Sequence, residues 1–293
     1  MGKRRAWMDQ REPSIQLVEV EKRTYEDILP DLVPKLYRVA YGIVQDPMEA
    51  QDAVQDAMVN LLAKGEGFEE RASISTWLYR VTVNASLDRL RAKRRKGDTV
   101  SIEDFLPKFD EEGRYAEEIV DWSQRPLERL LSKEAMETLE RALGSLPEDH
   151  RIVIVMKDME EIPLAEIARA LDLTIAAVKS RLHRARLALK GVLASYFKEE
   201  EKRPMARPKT RRRHKQTCRE IVEILCEYLE GELPREEREE LDRHLADCPP
   251  CLAFLNTYRK TSQLCRALRP EDIPEELKRR LENFLKEIPS RRC

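Results

Sequence analysis

The segment between Leu146 and Leu189 constrains the fold of this chain more than any other. Pro163 precedes a short run with helical apolar spacing, Asp172 falls at a turn, and Thr174 can cap a second helix. That second helix carries five Lys/Arg and no acid between residues 176 and 190. A helix-turn-helix places such a helix in the DNA major groove, where arginine bonded to guanine discriminates by about 1–3 kcal/mol. The pattern therefore predicts a DNA-binding helix-turn-helix.

The spacing also assigns the two faces of the second helix. Its apolar face should be buried and consists of Ile175, Val178, Leu182, Ala185 and Leu189. Its polar face should lie in solvent and supplies the candidate DNA contacts Lys179, Ser180, Arg181, Arg184 and Arg186. The alternative is an amphipathic helix whose charges are only solvated. His183 is expected to be an ordinary surface histidine, and the turn requires a left-handed backbone at Asp172.

Composition predicts an all-α protein of two or three domains. Aromatic residues make up only 6% of the 293 residues, glycine is scarce, and no segment shows sustained strand-like alternation. The net charge is −1, but the charge is segregated. Residues 89–96 hold six Lys/Arg and no acid, whereas residues 220–251 hold eleven acids and three Lys/Arg. Such blocks are either solvated faces or basic phosphate-binding faces that acidic segments can cover.

Two helices are predicted near the N-terminus, separated by a turn at Asp46-Pro47. The inward face of the first consists of Leu32, Leu36, Val39 and Ile43. The inward face of the second consists of Val54, Met58, Leu61 and Leu62. The opposite face of the second helix shows Asp52, Gln55 and Asp56, which form either a solvated polar face or a docking surface for a partner.

A third helix is expected to begin near Ser75 or Thr76, both suitable caps. Its predicted inward residues are Trp77, Leu78, Val81, Ala85, Leu87 and Leu90. The polar residues left outside are Arg80, Asn84, Asp88, Arg91, Lys93, Arg94 and Arg95. The cations among them can neutralise phosphates, and Asn84 can read a base edge. Trp77 can either pack in the core or stack on an unpaired base, and its apolar phase favours packing.

The N-terminal helices and the helix-turn-helix, in this order, resemble regions 2 and 4 of extracytoplasmic-function (ECF) sigma factors of bacterial RNA polymerase. The resemblance rests on DPMEAQDAVQDAMVNLL, STWLYRVTVNASLDRLRAKRR and the EIA…VKSRL.RAR pattern. It implies that Asp52, Gln55 and Asp56 bind the clamp helices of the polymerase β′ subunit, with the β subunit as a further partner. It also implies that Trp77, Asn84, Asp88 and Arg91 recognise and open the −10 element. Phe68 matches a base-capturing loop, and the helix-turn-helix matches the reader of the −35 element.

All six cysteines lie between residues 218 and 293, which favours a local metal or redox site over a chain-wide disulfide framework. His244 and Cys248 are four residues apart on a helix, and Cys248-Pro-Pro-Cys251 forms a tight chelating turn. Zinc takes four such ligands tetrahedrally. The fourth ligand must come from upstream, and the candidates are Cys218, Cys226 and His214. Cys226 falls near an apolar face, which favours buried packing.

The segments CREIVEIL, YLEGEL and HLADCPPC resemble a zinc-binding anti-sigma-factor domain. By position in that family, the Zn²⁺ ligands are Cys218, His244, Cys248 and Cys251. The same segment is expected to form two helices, one running from Cys218 and one beginning after Pro234. Near the C-terminus, Leu277, Leu281 and Leu285 predict a short amphipathic helix.

The resemblances divide the chain into seven parts: an N-terminal extension (1–24), a region 2 domain (25–97), an acidic linker (98–132), a region 4 domain (133–198), a basic linker (199–213), a zinc-binding domain (214–268) and a tail (269–293).

The resemblances imply a sigma factor, not an enzyme, that binds core RNA polymerase and promoter DNA and is modulated by intramolecular contact with its own zinc-binding domain. The absence of a long apolar run or a signal core favours a cytoplasmic protein without a membrane partner. The alternatives are a stand-alone helix-turn-helix repressor or activator, which would bind its operator without polymerase, and a thiol or metal sensor.

Overall fold

The all-α prediction is confirmed. The computed structural model describes residues 25–64, 74–93, 102–200, 216–270 and 273–287, and within these ranges the extended pairing is limited to an isolated bridge between Phe109 and Tyr115. The helices are α1 (Tyr25–Val44), α2 (Pro47–Lys64), α3 (Ile74–Lys93), α4 (Leu127–Leu130), α5 (Lys133–Ser145), α6 (Glu148–Ile154), α7 (Leu164–Leu171), α8 (Ile175–Glu200), α9 (Cys218–Glu223), α10 (Leu225–Glu230), α11 (Arg235–Asp247), α12 (Pro249–Ala267) and α13 (Glu275–Glu287).

Helices α1 to α3 form an N-terminal unit. Leu36 and Val54 are fully buried there, as the apolar spacing predicted. Leu62 was expected on the same face, but it is 46% exposed. The inward stripe of α2 is narrow, and one further residue carries Leu62 about 100° around the helix from the buried Leu61. The turn between the two helices is at Asp46, whose Oδ1 accepts from the amide of Met48 at 2.9 Å.

Helix α3 buries a different stripe from the one predicted. It begins at Ile74, so Ser75 and Thr76 lie inside its first turn and do not precede it. Its buried residues are Ile74, Thr76, Leu78, Tyr79, Thr82, Val83 and Ser86, while Trp77, Val81, Ala85, Leu87 and Leu90 are half-buried. Ser86 is tolerated because its hydroxyl donates to the carbonyl of Thr82 at 2.7 Å. The helix packs on α1 and α2 and also on α7, so its flanks are covered as well.

Helices α5 to α8 form the helix-turn-helix unit. The turn residue Asp172 has φ 55° and ψ 48°, which confirms the left-handed backbone. Thr174 caps α8, since its Oγ1 accepts from the amide of Ala177 at 3.1 Å. Among the predictions for α8, those for Ile175 and Arg186 were wrong. Ile175 is 45% exposed, because it lies in the first turn beyond the apolar contact, and Arg186 is 2% exposed.

The N-terminal unit and the helix-turn-helix unit share one apolar core. Gly42 lies directly against Val155, in a π-helical turn (Val155–Met159) that extends α6. The buried guanidinium of Arg151 donates to the carbonyl of Ile43 at 2.8 Å. A second link joins the N-terminal unit to α7, whose final carbonyls accept from Arg80, with Nε 3.1 Å from the oxygen of Ala170.

The acidic segment between these two units is packed against the rest of the protein. It contains two 3-10 turns, at Ile102–Phe105 and Trp122–Gln124. Trp122 is 1% exposed and contacts the ring of Phe197 on α8, with centroids 5.2 Å apart. The composition of residues 98–132 predicted only a polar linker, because its few apolar residues show no helical or strand period.

Helices α9 to α12 form the C-terminal unit. The first predicted helix is broken at Ile224 into α9 and α10. Helix α11 begins after Pro234, as predicted. Helix α12 is a long helix that was not predicted from the sequence. The tail helix α13 confirms the predicted amphipathic helix, with Leu277 fully buried against α1. None of the helices in the described ranges is both long enough and apolar enough to span a bilayer.

The contact of Gly42 with Val155 predicts an unusual response to alanine. A Cβ at residue 42 would lie 2.7 Å from Val155 Cγ1, and the β-branched side chain of valine cannot easily move away. We expect Gly42→Ala to destabilise the protein by about 1–3 kcal/mol through overpacking. In a Val155→Ala background the same change should stabilise by about 0.5–1 kcal/mol, because alanine is the better helix former. Urea unfolding of the four chains measures this, and an equal effect in both backgrounds would contradict the packing.

Candidate metal centre and nucleic-acid interface

The structure brings four metal-ligating side chains together in the C-terminal unit. The ligand atoms of Cys218, His244, Cys248 and Cys251 all lie within 4.8 Å of one another. The sulfur atoms of Cys218 and Cys248 are 3.9 Å apart, and His244 Nε2 is 3.2 Å from Cys251 Sγ. In a tetrahedral zinc site with bonds of about 2.3 Å, sulfur atoms lie about 3.8 Å apart. The donor set and its spacing therefore fit zinc.

Local sequence explains why these residues converge. Thr217 forms a capping box with Glu220, which starts α9 and fixes Cys218 at its first position. His244 lies in the last turn of α11, and α12 begins directly after Cys248 with two prolines in its first turn. The short connection between α11 and α12 holds the histidine and the two other cysteines at one end of the unit.

Hydrogen bonds link the three thiols of this cluster. Those from Cys218 and Cys251 lower the pKa of Cys248, whereas the same contacts raise the pKa of Cys218 and of Cys251, so one thiolate is available. The hydroxyl of Tyr115, from the acidic segment, lies 3.7 Å from Cys251 Sγ. Cys226 is apart from the cluster and is 1% exposed, with Sγ 3.7 Å from the carbonyl oxygen of Lys179. Among the candidates for the fourth ligand, His214 lies outside the described residues.

The basic side chains of the recognition helix α8 are engaged by acids from other segments. Lys179 pairs with Glu232 of the C-terminal unit. Arg181 pairs with Asp149 of α6 at 3.0 Å, and Arg184 pairs with Glu103 of the acidic segment at 3.7 Å. Ser180 is exposed. Arg184 is exposed as well, so the predicted exposure is confirmed for Ser180 and Arg184, whereas Lys179 and Arg181 are half-buried beside carboxylates.

Arg186 is the most deeply buried member of this set. Its guanidinium donates to Asp158 through Nε at 2.8 Å and Nη2 at 2.6 Å, and Nη2 also lies 3.0 Å from Glu230 Oε1. Burial alone would lower the pKa of Arg186, but the hydrogen bonds to Asp158 hold it well above its ordinary value. Glu230 also pairs with Lys157 at 2.9 Å. Sequence periodicity missed this burial because the covering helix is distant in the chain.

His183 also lies under the C-terminal unit. Burial lowers the pKa of this histidine to about 4, so the ring is neutral at pH 7. Its Nδ1 is 2.9 Å from the hydroxyl of Tyr258 on α12. The ring is half-buried, so the expected surface position was wrong. Thus one face of the recognition helix, from Lys179 to Arg186, is covered by α10 and α12.

The predicted docking residues of α2 are exposed. Asp52 and Gln55 face solvent, while Asp56 pairs with Arg89 at 2.8 Å. The guanidinium of Arg280, on the tail helix α13, donates to Gln55 Oε1. The same face carries three exposed apolar side chains that the sequence reading did not assign to it, namely Met48, Val59 and Leu62. Together with Asp52 and Gln55 they occupy positions 48, 52, 55, 59 and 62, which are three or four residues apart. This spacing places all five side chains on one face of a helix and could have identified the three apolar ones.

The remaining predicted DNA contacts lie on or beyond α3. Asn84 and Asp88 are exposed, and Trp77 is half-buried. Arg91 pairs with Glu148 of the helix-turn-helix unit at 3.2 Å. Lys93 ends α3, and its side chain lies outside the described residues, as do Phe68, Arg94 and Arg95.

Comparison with known proteins identifies this combination of units. Residues 31–96 match the family model Sigma-70 region 2, residues 136–189 match Sigma-70, region 4, and residues 218–252 match a zinc-finger family model. The chain is 33% identical to the ECF RNA polymerase sigma factor SigM of Mycobacterium tuberculosis over 159 residues, which are 54% of this chain and 71% of SigM. It is 29% identical to SigW of Bacillus subtilis over 184 residues, 61% of this chain and 93% of SigW.

The chain also matches a solved structure of the sigma factor RpoE from Bartonella quintana in complex with the anti-sigma factor NepR. The match covers 58% of this chain and 96% of the chain in that structure, with 22% identity and a TM-score of 0.41. The helix-turn-helix, the N-terminal unit and the relatives together define a transcription initiation factor and not an enzyme. The chain belongs to the ECF RNA polymerase sigma factors and carries a zinc-finger segment after its sigma regions.

The metal site predicts one zinc ion per chain. We expect the purified chain to contain one equivalent of zinc, and Cys248→Ala to lose it, because three ligands hold zinc far more weakly than four. Cys226→Ala is the matched control, since Cys226 is equally buried but lies outside the cluster. Elemental analysis after desalting measures the metal. Zinc retained by Cys248→Ala, or lost by Cys226→Ala, would show that the ligand set is wrong.

Proposed function

We propose that this sigma factor binds core RNA polymerase, directs promoter recognition and opening in the cytoplasm, and is held closed in cis by its own C-terminal unit. The central observation is that acids of the C-terminal unit occupy the bases of the recognition helix. Glu230 pairs with Arg186, and Glu232 pairs with Lys179. Carboxylates there stand where phosphates or base edges would bind.

The exposed face of α2 is the proposed docking surface for the β′ clamp helices. Asp52, Gln55 and Asp56 can pair with polymerase, while Met48 and Val59 provide apolar area that has no cover in the described residues. Arg280 of the tail helix reaches Gln55, so α13 would compete with polymerase at one edge of this surface. The β subunit is the proposed partner of the helix-turn-helix unit, by family resemblance.

The proposed promoter contacts fall on two helices. Trp77, Asn84, Asp88 and Arg91 of α3, with Arg80 and the cations Lys93, Arg94 and Arg95, are proposed to act at the −10 element. Lys179, Ser180, Arg181, Arg184 and Arg186 of α8 are proposed to act at the −35 element. These elements are separate on the duplex, whereas Arg80 and Arg91 here contact the helix-turn-helix unit. Reading both elements therefore requires the two units to part.

Zinc has a structural role in this proposal. Bound to Cys218, His244, Cys248 and Cys251, it would hold the end of α11 against the starts of α9 and α12. That arrangement positions α10 and α12 to cover α8. A stand-alone repressor explains the recognition helix but gives no role to the exposed face of α2, so the sigma-factor proposal accounts for more of the surface.

Weakening the contact at Arg186 should activate the protein. Glu230→Gln removes a charged acceptor that is 12% exposed, and such hydrogen bonds contribute about 1.5–3 kcal/mol. We expect at least about a tenfold shift from closed to open chains and a matching rise in transcription at limiting sigma concentration. Glu236→Gln, on the exposed side of α11, is the control. Equal transcription from Glu230→Gln and Glu236→Gln chains would argue against inhibition through this contact.

Removing the whole C-terminal unit should have a larger effect. We expect residues 1–200 to bind core polymerase more tightly than the complete chain, because the intramolecular competitor at millimolar effective concentration is gone. Binding is measured by fluorescence anisotropy with core polymerase, and transcript starts are mapped on a genomic promoter library. Circular dichroism checks that the shortened chain remains helical. Unchanged affinity and unchanged transcription would contradict control in cis, while loss of all polymerase binding would contradict the sigma assignment itself.

A further inference from the structure

A cavity of about 190 Å³ lies where the acidic segment, α8 and α12 meet. Its lining is mixed, and the apolar residues in it include Phe105, Leu106, Ile119, Leu187, Ala194 and Phe254. Each of the three segments supplies part of the wall. Tyr115 also lines the cavity, and its hydroxyl contacts Cys251 of the metal cluster.

One buried lysine lines this cavity. Lys190 is 6% exposed, and its amine nitrogen lies 3.8 Å from the centre of the Phe254 ring. Among the described residues, no carboxylate forms an ion pair with it. Asp121 attracts it electrostatically, but the oxygens of Asp121 already accept hydrogen bonds from Ser123 and Asn256. The buried amine has therefore lost its hydration without gaining a direct ion pair.

The entrance to the cavity is electrically balanced. Glu117 and Glu118 line it with Lys108 and Lys198, and all four side chains are exposed. The ionisable group of the lining that is left over is therefore Lys190, inside the cavity. Burial lowers the pKa of Lys190 to about 7, so an anion beside it would restore the charged form.

We propose that this cavity binds a small organic monoanion, a carboxylate on an apolar body, whose charged group pairs with Lys190. The apolar residues of the lining suit the body, and the buried amine suits the head. Because α12 supplies one wall and leaves α8 when the sigma factor opens, the bound anion stabilises the closed form. This regulatory consequence rests on the proposed control in cis, whereas the binding itself does not.

Binding is tested on the complete chain at pH 7 by calorimetric titration and thermal unfolding. The probes are sodium butyrate, hexanoate, benzoate and phenylacetate, with hexanamide as the neutral match for hexanoate. We expect at least one carboxylate to bind at one site per chain and raise the unfolding temperature. Lys190→Met should weaken it by about tenfold or more, as expected for a charge-assisted contact. Lys198→Met, at the exposed entrance, should change it by less than about twofold.

Lys190→Met should fold, because methionine fills a similar volume without a buried charge. If that variant loses its helicity, the test is whether a bound carboxylate protects Lys190 of the unaltered chain from acetylation. Acetylation by acetic anhydride, mapped by mass spectrometry, should then be slowed at Lys190 by the binding carboxylate and not by hexanamide. The proposal is overturned if no carboxylate of the panel binds, if hexanamide binds as well as hexanoate, or if neither the variant nor the protection involves Lys190. None of these outcomes depends on transcription, so they leave the sigma-factor assignment untouched.

Discussion

The closed arrangement depends on one buried ionic cluster, in which Arg186 of the recognition helix lies between Asp158 and Glu230. Both partners and the guanidinium are almost completely buried, so each charge depends on the others for its solvation. Asp158 belongs to the helix-turn-helix unit, whereas Glu230 belongs to the C-terminal unit. The first pair can persist when the chain opens, but the second cannot. The closed state therefore depends on the contact between Arg186 and Glu230.

The segregated charge of the chain follows from that arrangement. A recognition helix that is basic enough to bind DNA also attracts any tethered acidic surface, and the tether raises the local concentration of that surface. Glu232 on Lys179 and Tyr258 on His183 extend the covered face along α8. The tail helix acts at a different place, because Arg280 reaches the α2 face from which polymerase binding is proposed. One C-terminal region therefore touches both proposed binding surfaces.

Local features of the sequence predicted the local structure well. Asp172 in a left-handed turn, Thr174 as a cap, and the convergence of His244 with Cys248 and Cys251 each follow from residues a few positions apart. The exposure of Ile175 was mispredicted because that residue lies in the first turn of α8, beyond the apolar contact. The burial of Arg186 was mispredicted because it depends on a helix that packs from far along the chain. The packed course of residues 102–132 was missed for the same reason: Trp122 is buried by Phe197, not by its neighbours. Charge blocks indicated that the acidic and basic segments could meet, but no spacing rule pairs one glutamate with one arginine.

In the proposed function, the free chain is closed and polymerase opens it. Single-molecule energy transfer tests this most directly, with dyes attached at two exposed positions, Asn60 on α2 and Glu236 on α11. We expect one high-transfer population in the free chain and a shift to low transfer when core polymerase is added. A free chain that already shows the transfer of the polymerase-bound chain would contradict this expectation.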